Sequence, residues 1–97
     1  MTELLELPQL SGGRKRASSL VAAAHLPADL HGSTVIVDCR QLRAGTESFA
    51  DELVHIILVQ RGAARLHAEN VAGDFVNYLT AAAVSYDVTD RLVVQAL

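Results

Sequence analysis

Hydrophobic and polar positions along this chain alternate between short β-branched runs and longer stretches with helical spacing. The clearest run, Thr34–Cys39, contains three consecutive aliphatic residues, which is typical of a strand that is buried on both faces. A polar loop follows, and the segment Ser48–Gln60 then repeats apolar residues at helical spacing before Gly62. A strand, a crossover loop and a helix in this order predict a parallel sheet with Thr34–Cys39 in a central position.

The rest of the pattern predicts two more helices and three more strands. We expect helices near Arg14–Ala24 and Val71–Ala83, the second of them capped by Asn70. Three short segments predict strands: Glu3–Leu7, Ala64–Ala68 and Leu92–Val94. Residues 1–10 are either this first strand or a flexible start. The whole order predicts a single α/β domain over residues 1–97, with about four mostly parallel strands covered by three helices.

Ser48 stands at the predicted start of the central helix. Asp51 follows three residues later, which is the spacing of a capping box. In that motif the serine hydroxyl accepts from the Asp51 N–H, and the carboxylate reaches back to the serine N–H. Asp51 and Glu52 also place negative charge in the first turn, where the helix dipole favours it. Two interpretations of Ser48 stay open: it is a helix cap, or it is a regulatory or reactive serine.

This part of the chain resembles a known family. The pattern V-x-V-D at Val35–Asp38, a short loop and S-F-A-D-E-L at Ser48–Leu53 resemble the STAS-like family of unknown function. That family is similar to the STAS domains of bacterial anti-sigma factor antagonists. The resemblance covers roughly the segment from Leu10 to Val94. It implies the same α/β fold that the hydrophobic pattern predicts.

The resemblance also implies a function for the corner between loop and helix. It places Ser48 on the serine that an anti-sigma factor kinase phosphorylates in those antagonists. Thr46 and Glu47 stand where Asp and Ser are usual, and Phe49 replaces the glycine after the phosphorylated serine. The implied function is a non-enzymatic regulatory module with a protein partner, such a kinase included. The residues expected to contact a partner lie around and after Ser48: Thr46, Glu47, Phe49, Asp51, Glu52, Val54 and Leu58.

The central helix carries more apolar residues than one sheet face can cover. We therefore expect Val54 and Leu58 to be exposed in one copy of the chain and covered by a partner or by a second copy. The sequence thus predicts a protein-binding surface or a homodimer.

A glycine pair before the first predicted helix is a candidate anion site. Gly12, Gly13 and Arg14 combine free N–H groups with a positive side chain at a helix start. The alternative is a solvated basic turn, since the spacing matches no phosphate-binding loop. A net charge of −3 argues against general nucleic-acid binding.

Catalytic and metal-binding patterns are absent from the sequence. The four histidines show no metal-ligand spacing, and no cofactor or metal is expected. Asp38 at a strand end is either a ligand contact or a carboxylate that accepts from loop N–H groups. Cys39, the single cysteine, is expected to fill the core. Without a signal peptide or an apolar stretch that could cross a bilayer, the chain is expected in the cytoplasm, with no membrane partner.

Two further functions stay open beside the regulatory module. One is a free-standing effector or inhibitor that binds an unrelated protein without a phosphorylation switch. The other is a small-ligand-binding domain at the rim that Asp38 and Ser48 share. The sequence favours protein binding over catalysis, so an enzyme is not expected.

Overall fold

The four strands of the main sheet and the three helices follow one another in the predicted order, and two further short strands, Leu10–Ser11 and Ala44–Gly45, were not predicted. In a computed structural model that describes residues 1–97, the strands are β1 Thr2–Glu6, β2 Leu10–Ser11, β3 Thr34–Asp38, β4 Ala44–Gly45, β5 Arg65–Val71 and β6 Leu92–Ala96. The helices are α1 Arg14–Ala23, α2 Glu47–Val54 and α3 Phe75–Ser85. A π-helix, His55–Gln60, continues α2 directly, and a 3₁₀ turn, Thr89–Arg91, precedes β6. The predicted α/β class, with a mostly parallel sheet and three helices, is confirmed.

Four strands form one parallel sheet in the order β1-β3-β5-β6, and β2 pairs with β4 in a separate two-stranded ladder. The strand Thr34–Asp38 is therefore internal, as predicted. Because the strands follow their order in the chain, right-handed crossovers place every helix on the same face of the sheet. Val35 and Val37 point into the core and are 0% exposed, whereas Ile36 between them is only half-buried. The expectation that this strand is buried on both faces is wrong.

The start of α3 also differs from the prediction. Asn70 does not cap the helix, since it lies within β5 at a φ of 58°, beside an irregularity in the pairing with β6. Its side-chain amide donates to Asp38 Oδ1 at 3.3 Å. Asn is one of the few side chains that tolerate the left-handed region, which suits this bulge. The helix begins at Phe75, four residues later than Val71.

The helices α1 and α3 both pack against the central helix and help to bury its apolar residues. The segment His55–Gln60 continues α2 with a wider i→i+5 turn. Val54 and Leu58 are both 0% exposed within a single chain, and the expectation that they are exposed is wrong. The Arg91 guanidinium donates to the backbone carbonyls of Leu58 and Ala63, at 2.5 Å and 2.6 Å, where the wide turn ends.

The buried side chains form one continuous core of 25 residues between the helices and the sheet. Its largest members come from all three helices, the π-helix, the inner strands and two connecting segments, the last represented by Leu7 and Leu30. None of the helices has both the length and the hydropathy needed to span a bilayer.

Candidate functional site at the α2 corner

Thr46, rather than Ser48, caps α2. Thr46 is the residue before the helix, and its Oγ1 accepts from the Phe49 N–H at 3.2 Å. The same oxygen accepts from the Gly13 N–H at 3.0 Å, so it serves the starts of two helices. Ser48 lies in the first turn, half-buried, with its Oγ 3.3 Å from Thr46 Oγ1. The prediction of Ser48 as the cap is therefore wrong by two residues.

Pairing between β2 and β4 holds the segment that leads into the corner. Gly45 pairs with Ser11 in this ladder, and the Thr46 N–H donates to the Ser11 carbonyl at 3.0 Å. Gly45 also lies directly on the ring of Phe75, because a Cβ at this position would be 2.6 Å from two ring carbons. Only glycine permits so close an approach. The loop that carries Thr46 is thereby held between Phe75 of α3 and the strand β2 that precedes α1.

Asp51 joins three helices instead of completing a capping box at Ser48. Its Oδ2 accepts from the Tyr86 hydroxyl at 2.7 Å and from the Arg14 guanidinium. Burial opposes ionisation of Asp51, but the hydrogen bonds from Tyr86 and Arg14 outweigh it and hold the pKa of this carboxyl below its ordinary value. Glu52 lies 3.5 Å from the same guanidinium. Arg14 therefore links α1 to α2, and the only acidic residue in the first turn of α2 is Glu47, so the expectation that Asp51 and Glu52 lie in that turn is wrong.

Five polar residues line an open depression at this corner: Arg14, Thr46, Glu47, Ser48 and Asp51. Thr46 and Glu47 are exposed, and Arg14 is 55% exposed although it is paired with Asp51. The depression holds one cation and two carboxylates next to the Ser48 hydroxyl. Its chemistry suits polar contacts with another molecule.

The other residues predicted to contact a partner divide into two groups. Asp51, which lines the depression, and Glu52, which follows it in α2, are half-buried. Phe49, Val54 and Leu58 are 0% exposed in the core, so they support the corner from inside and offer no surface. Phe49 packs against the Phe75 ring with the ring centroids 6.4 Å apart.

The glycine pair before α1 is already part of this corner. The Gly13 N–H donates to Thr46, and the Arg14 side chain points to Asp51. Gly12 and Gly13 line a neighbouring depression with Lys15 and Arg16. Anion binding at the start of α1 stays a prediction. Two of the groups expected to bind the anion already have other partners, because the Gly13 N–H donates to Thr46 and the Arg14 guanidinium donates to Asp51.

Asp38 and Cys39 have structural surroundings. The Arg40 N–H donates to Asp38 Oδ1 at 2.9 Å and lowers the pKa of this carboxyl; burial opposes that effect and the Asn70 amide adds to it. Of the two interpretations of Asp38, this contact fits the carboxylate that accepts from a loop N–H group. Cys39 is buried in the core, and burial raises the pKa of its thiol to about 12. At neutral pH the thiol is therefore protonated and a poor nucleophile.

His55 lies beside the same polar network. Its ring packs on Tyr86 with the centroids 4.9 Å apart, and its Nδ1 is 3.7 Å from Glu52 Oε1. No group of three or more His, Cys, Asp or Glu side chains is placed to hold a metal ion.

Sequence reasoning did not find Tyr86 or the partner of Arg14. Tyr86 is 35 residues from Asp51, so no local pattern links them. One signal was present for Arg14: a cation in the first turn of a helix opposes the dipole and needs a carboxylate from elsewhere in the fold.

Comparisons of the chain with protein-family models, curated proteins and solved structures give no match. The resemblance to the STAS-like family therefore stays a prediction from the motifs of the sequence. The α/β architecture, in contrast, is observed directly in the structure.

Proposed function

We propose that this protein is a non-enzymatic regulatory module of the STAS-like type, which binds a partner protein through the corner formed by Thr46, Glu47 and Ser48. The observation that supports the proposal most is that Thr46, and not Ser48, caps the start of α2. Since Thr46 supplies the cap, the Ser48 hydroxyl can be modified without loss of the capping bond. The helix can thus carry a charge switch and stay folded.

A phosphate on Ser48 would add a charge of about −1.5 to −2 to the corner. The N-terminus of α2 favours this charge, while Glu47 and Asp51 repel it. Arg14 lines the same depression and offers a guanidinium that phosphate binds well. Competition between the phosphate and Asp51 for Arg14 would alter the corner's surface. A partner fitted to the unmodified surface would then be released.

The partner class follows from the resemblance: an anti-sigma-factor-like kinase or a protein related to one, in the cytoplasm. The single cysteine is buried and unpaired, which agrees with a reducing compartment. In this proposal the polar side chains of the corner contact the partner, and the buried aromatic residues hold the corner in place.

Affinity capture from the native host tests the proposed surface. We expect a partner that binds the wild-type chain and is lost with Glu47→Arg, which reverses an exposed charge in the depression. The matched control is Asp90→Arg, an exposed reversal in the 3₁₀ turn before the edge strand β6, outside the depression at the α2 corner. A partner retained by Glu47→Arg but lost with Asp90→Arg would contradict the proposal.

A further inference from the structure

One face of the four-stranded sheet has no helix on it. Strand pairing aligns three rows of side chains across this face. The middle row is mostly apolar, and its two outer members, Leu4 and Val93, are 58% and 37% exposed. The three rows, in strand order, are Thr2, Thr34 and Arg65; Leu4, Ile36, His67 and Val93; and Glu6, Asp38 and Glu69.

The charges on the face are arranged with opposite signs at its two ends. The first row carries Arg65, and the last row carries three carboxylates. Asp38 is already paired with Arg40 at 3.0 Å, but Arg65 and Glu69 have no ion-pair partner within the chain. They lie four residues apart on one strand, about 13 Å at ~3.3 Å per residue, too far to pair with each other.

We propose that this face binds the same face of a second copy, with the strands of the two copies antiparallel across the interface. A twofold axis along the middle row places that row on itself and the first row on the last row of the other copy. Each Arg65 then lies opposite the Glu69 of the other copy, so one contact forms twice. The alternative twofold axis, parallel to the strands, would place carboxylates on carboxylates. Charge complementarity therefore selects both the occupant and its orientation.

The face is small compared with the surfaces that stable dimers bury. Four strands about 4.8 Å apart and five residues at ~3.3 Å each give a face of about 300 Å² in projection. The area that two such faces bury together is below the ~1,200 Å² that specific, stable interfaces bury. The dimer is therefore weak and concentration-dependent, and it forms without the corner at Ser48.

Sedimentation equilibrium from about 10 μM to about 1 mM tests the proposal. We expect a reversible monomer–dimer equilibrium in the wild-type chain. Arg65→Glu alone and Glu69→Arg alone each place like charges opposite each other and raise the dimer Kd at least about tenfold. The double variant Arg65→Glu/Glu69→Arg restores the opposite charges and returns the Kd to within about threefold of wild type. Rescue of this kind requires the antiparallel orientation.

Two further variants keep the result interpretable. Arg16→Glu, an exposed reversal on α1, is the matched control and leaves the Kd unchanged. Ile36→Lys places a charge in the centre of the apolar row and abolishes the dimer; circular dichroism checks that each variant is folded. A wild-type chain that stays monomeric up to about 1 mM overturns the proposal, and so does a dimer that persists with Ile36→Lys. A double variant no better than either single variant also overturns it.

Discussion

Gly45→Ala should destabilise the fold through one identifiable contact. The backbone of Gly45 lies outside the left-handed region, so alanine adds no conformational strain there. Its new Cβ, however, would lie 2.6 Å from Cδ1 and Cε1 of Phe75, whereas ordinary contact begins at 3.4 Å. The ring or the loop must therefore retreat by about 0.8 Å, and the Phe75 ring is only 4% exposed. Forced overpacking of this kind costs about 1–3 kcal/mol of unfolding free energy.

Urea unfolding measures this cost: the urea concentration at the midpoint of unfolding should fall, while the dependence of the unfolding free energy on urea concentration stays the same. Gly12→Ala is the matched control, because its Cβ would lie 3.3 Å from a Thr46 methyl group and requires a far smaller adjustment. Phe75→Leu removes the atoms that clash, so the double variant Gly45→Ala/Phe75→Leu should lose less stability than the two single changes added together. A Gly45→Ala variant within about 0.5 kcal/mol of wild type would refute the close approach.

Three further predictions concern the corner and the core. Thr46→Ala should lower the unfolding free energy by about 1–2 kcal/mol, whereas Ser48→Ala should change it by less than about 0.5 kcal/mol in urea; the reverse order would restore Ser48 as the cap. The lowered pKa of Asp51 gives stability that is fully present above its unfolded pKa of about 4 and is lost as the pH falls through the folded value. In thermal unfolding, the deficit of Asp51→Asn should therefore shrink as the pH falls below about 4, and a pH-independent deficit would contradict the ion pair. Cys39 should react with a thiol reagent at neutral pH about 100-fold more slowly in the folded chain than in urea, and a rapid reaction would contradict its burial.

The sheet could be predicted from the sequence because its signals are local. The β-branched run at Thr34–Cys39 and the helical spacing after it are sufficient for a parallel βαβ unit. The uncovered face could not be predicted from the same run, since an aliphatic residue at Ile36 has the same pattern whether helices cover both faces or one. That distinction depends on the order of the strands in the sheet, which is a property of the whole chain.

The errors at the central helix have two physical causes. Val54 and Leu58 were expected on the surface because the helix carries more apolar residues than one sheet face can cover, but α1 and α3 also pack against this helix and both side chains are buried. Ser48 fits the capping pattern, yet Thr46 takes that role because its hydroxyl also accepts from Gly13 at the start of α1. Such long-range contacts leave no mark at a fixed sequence spacing.

In the proposed function, Ser48 controls the binding of a partner protein at the α2 corner. Isothermal titration of the captured partner with Ser48→Ala and with Ser48→Asp tests it most directly, with circular dichroism to check that both variants are folded. We predict that Ser48→Ala binds like wild type, and that Ser48→Asp binds at least about tenfold more weakly, since its charge joins Glu47 and Asp51 at the surface. Equal affinity of the two folded variants would contradict the switch and leave an effector or inhibitor whose binding does not depend on Ser48.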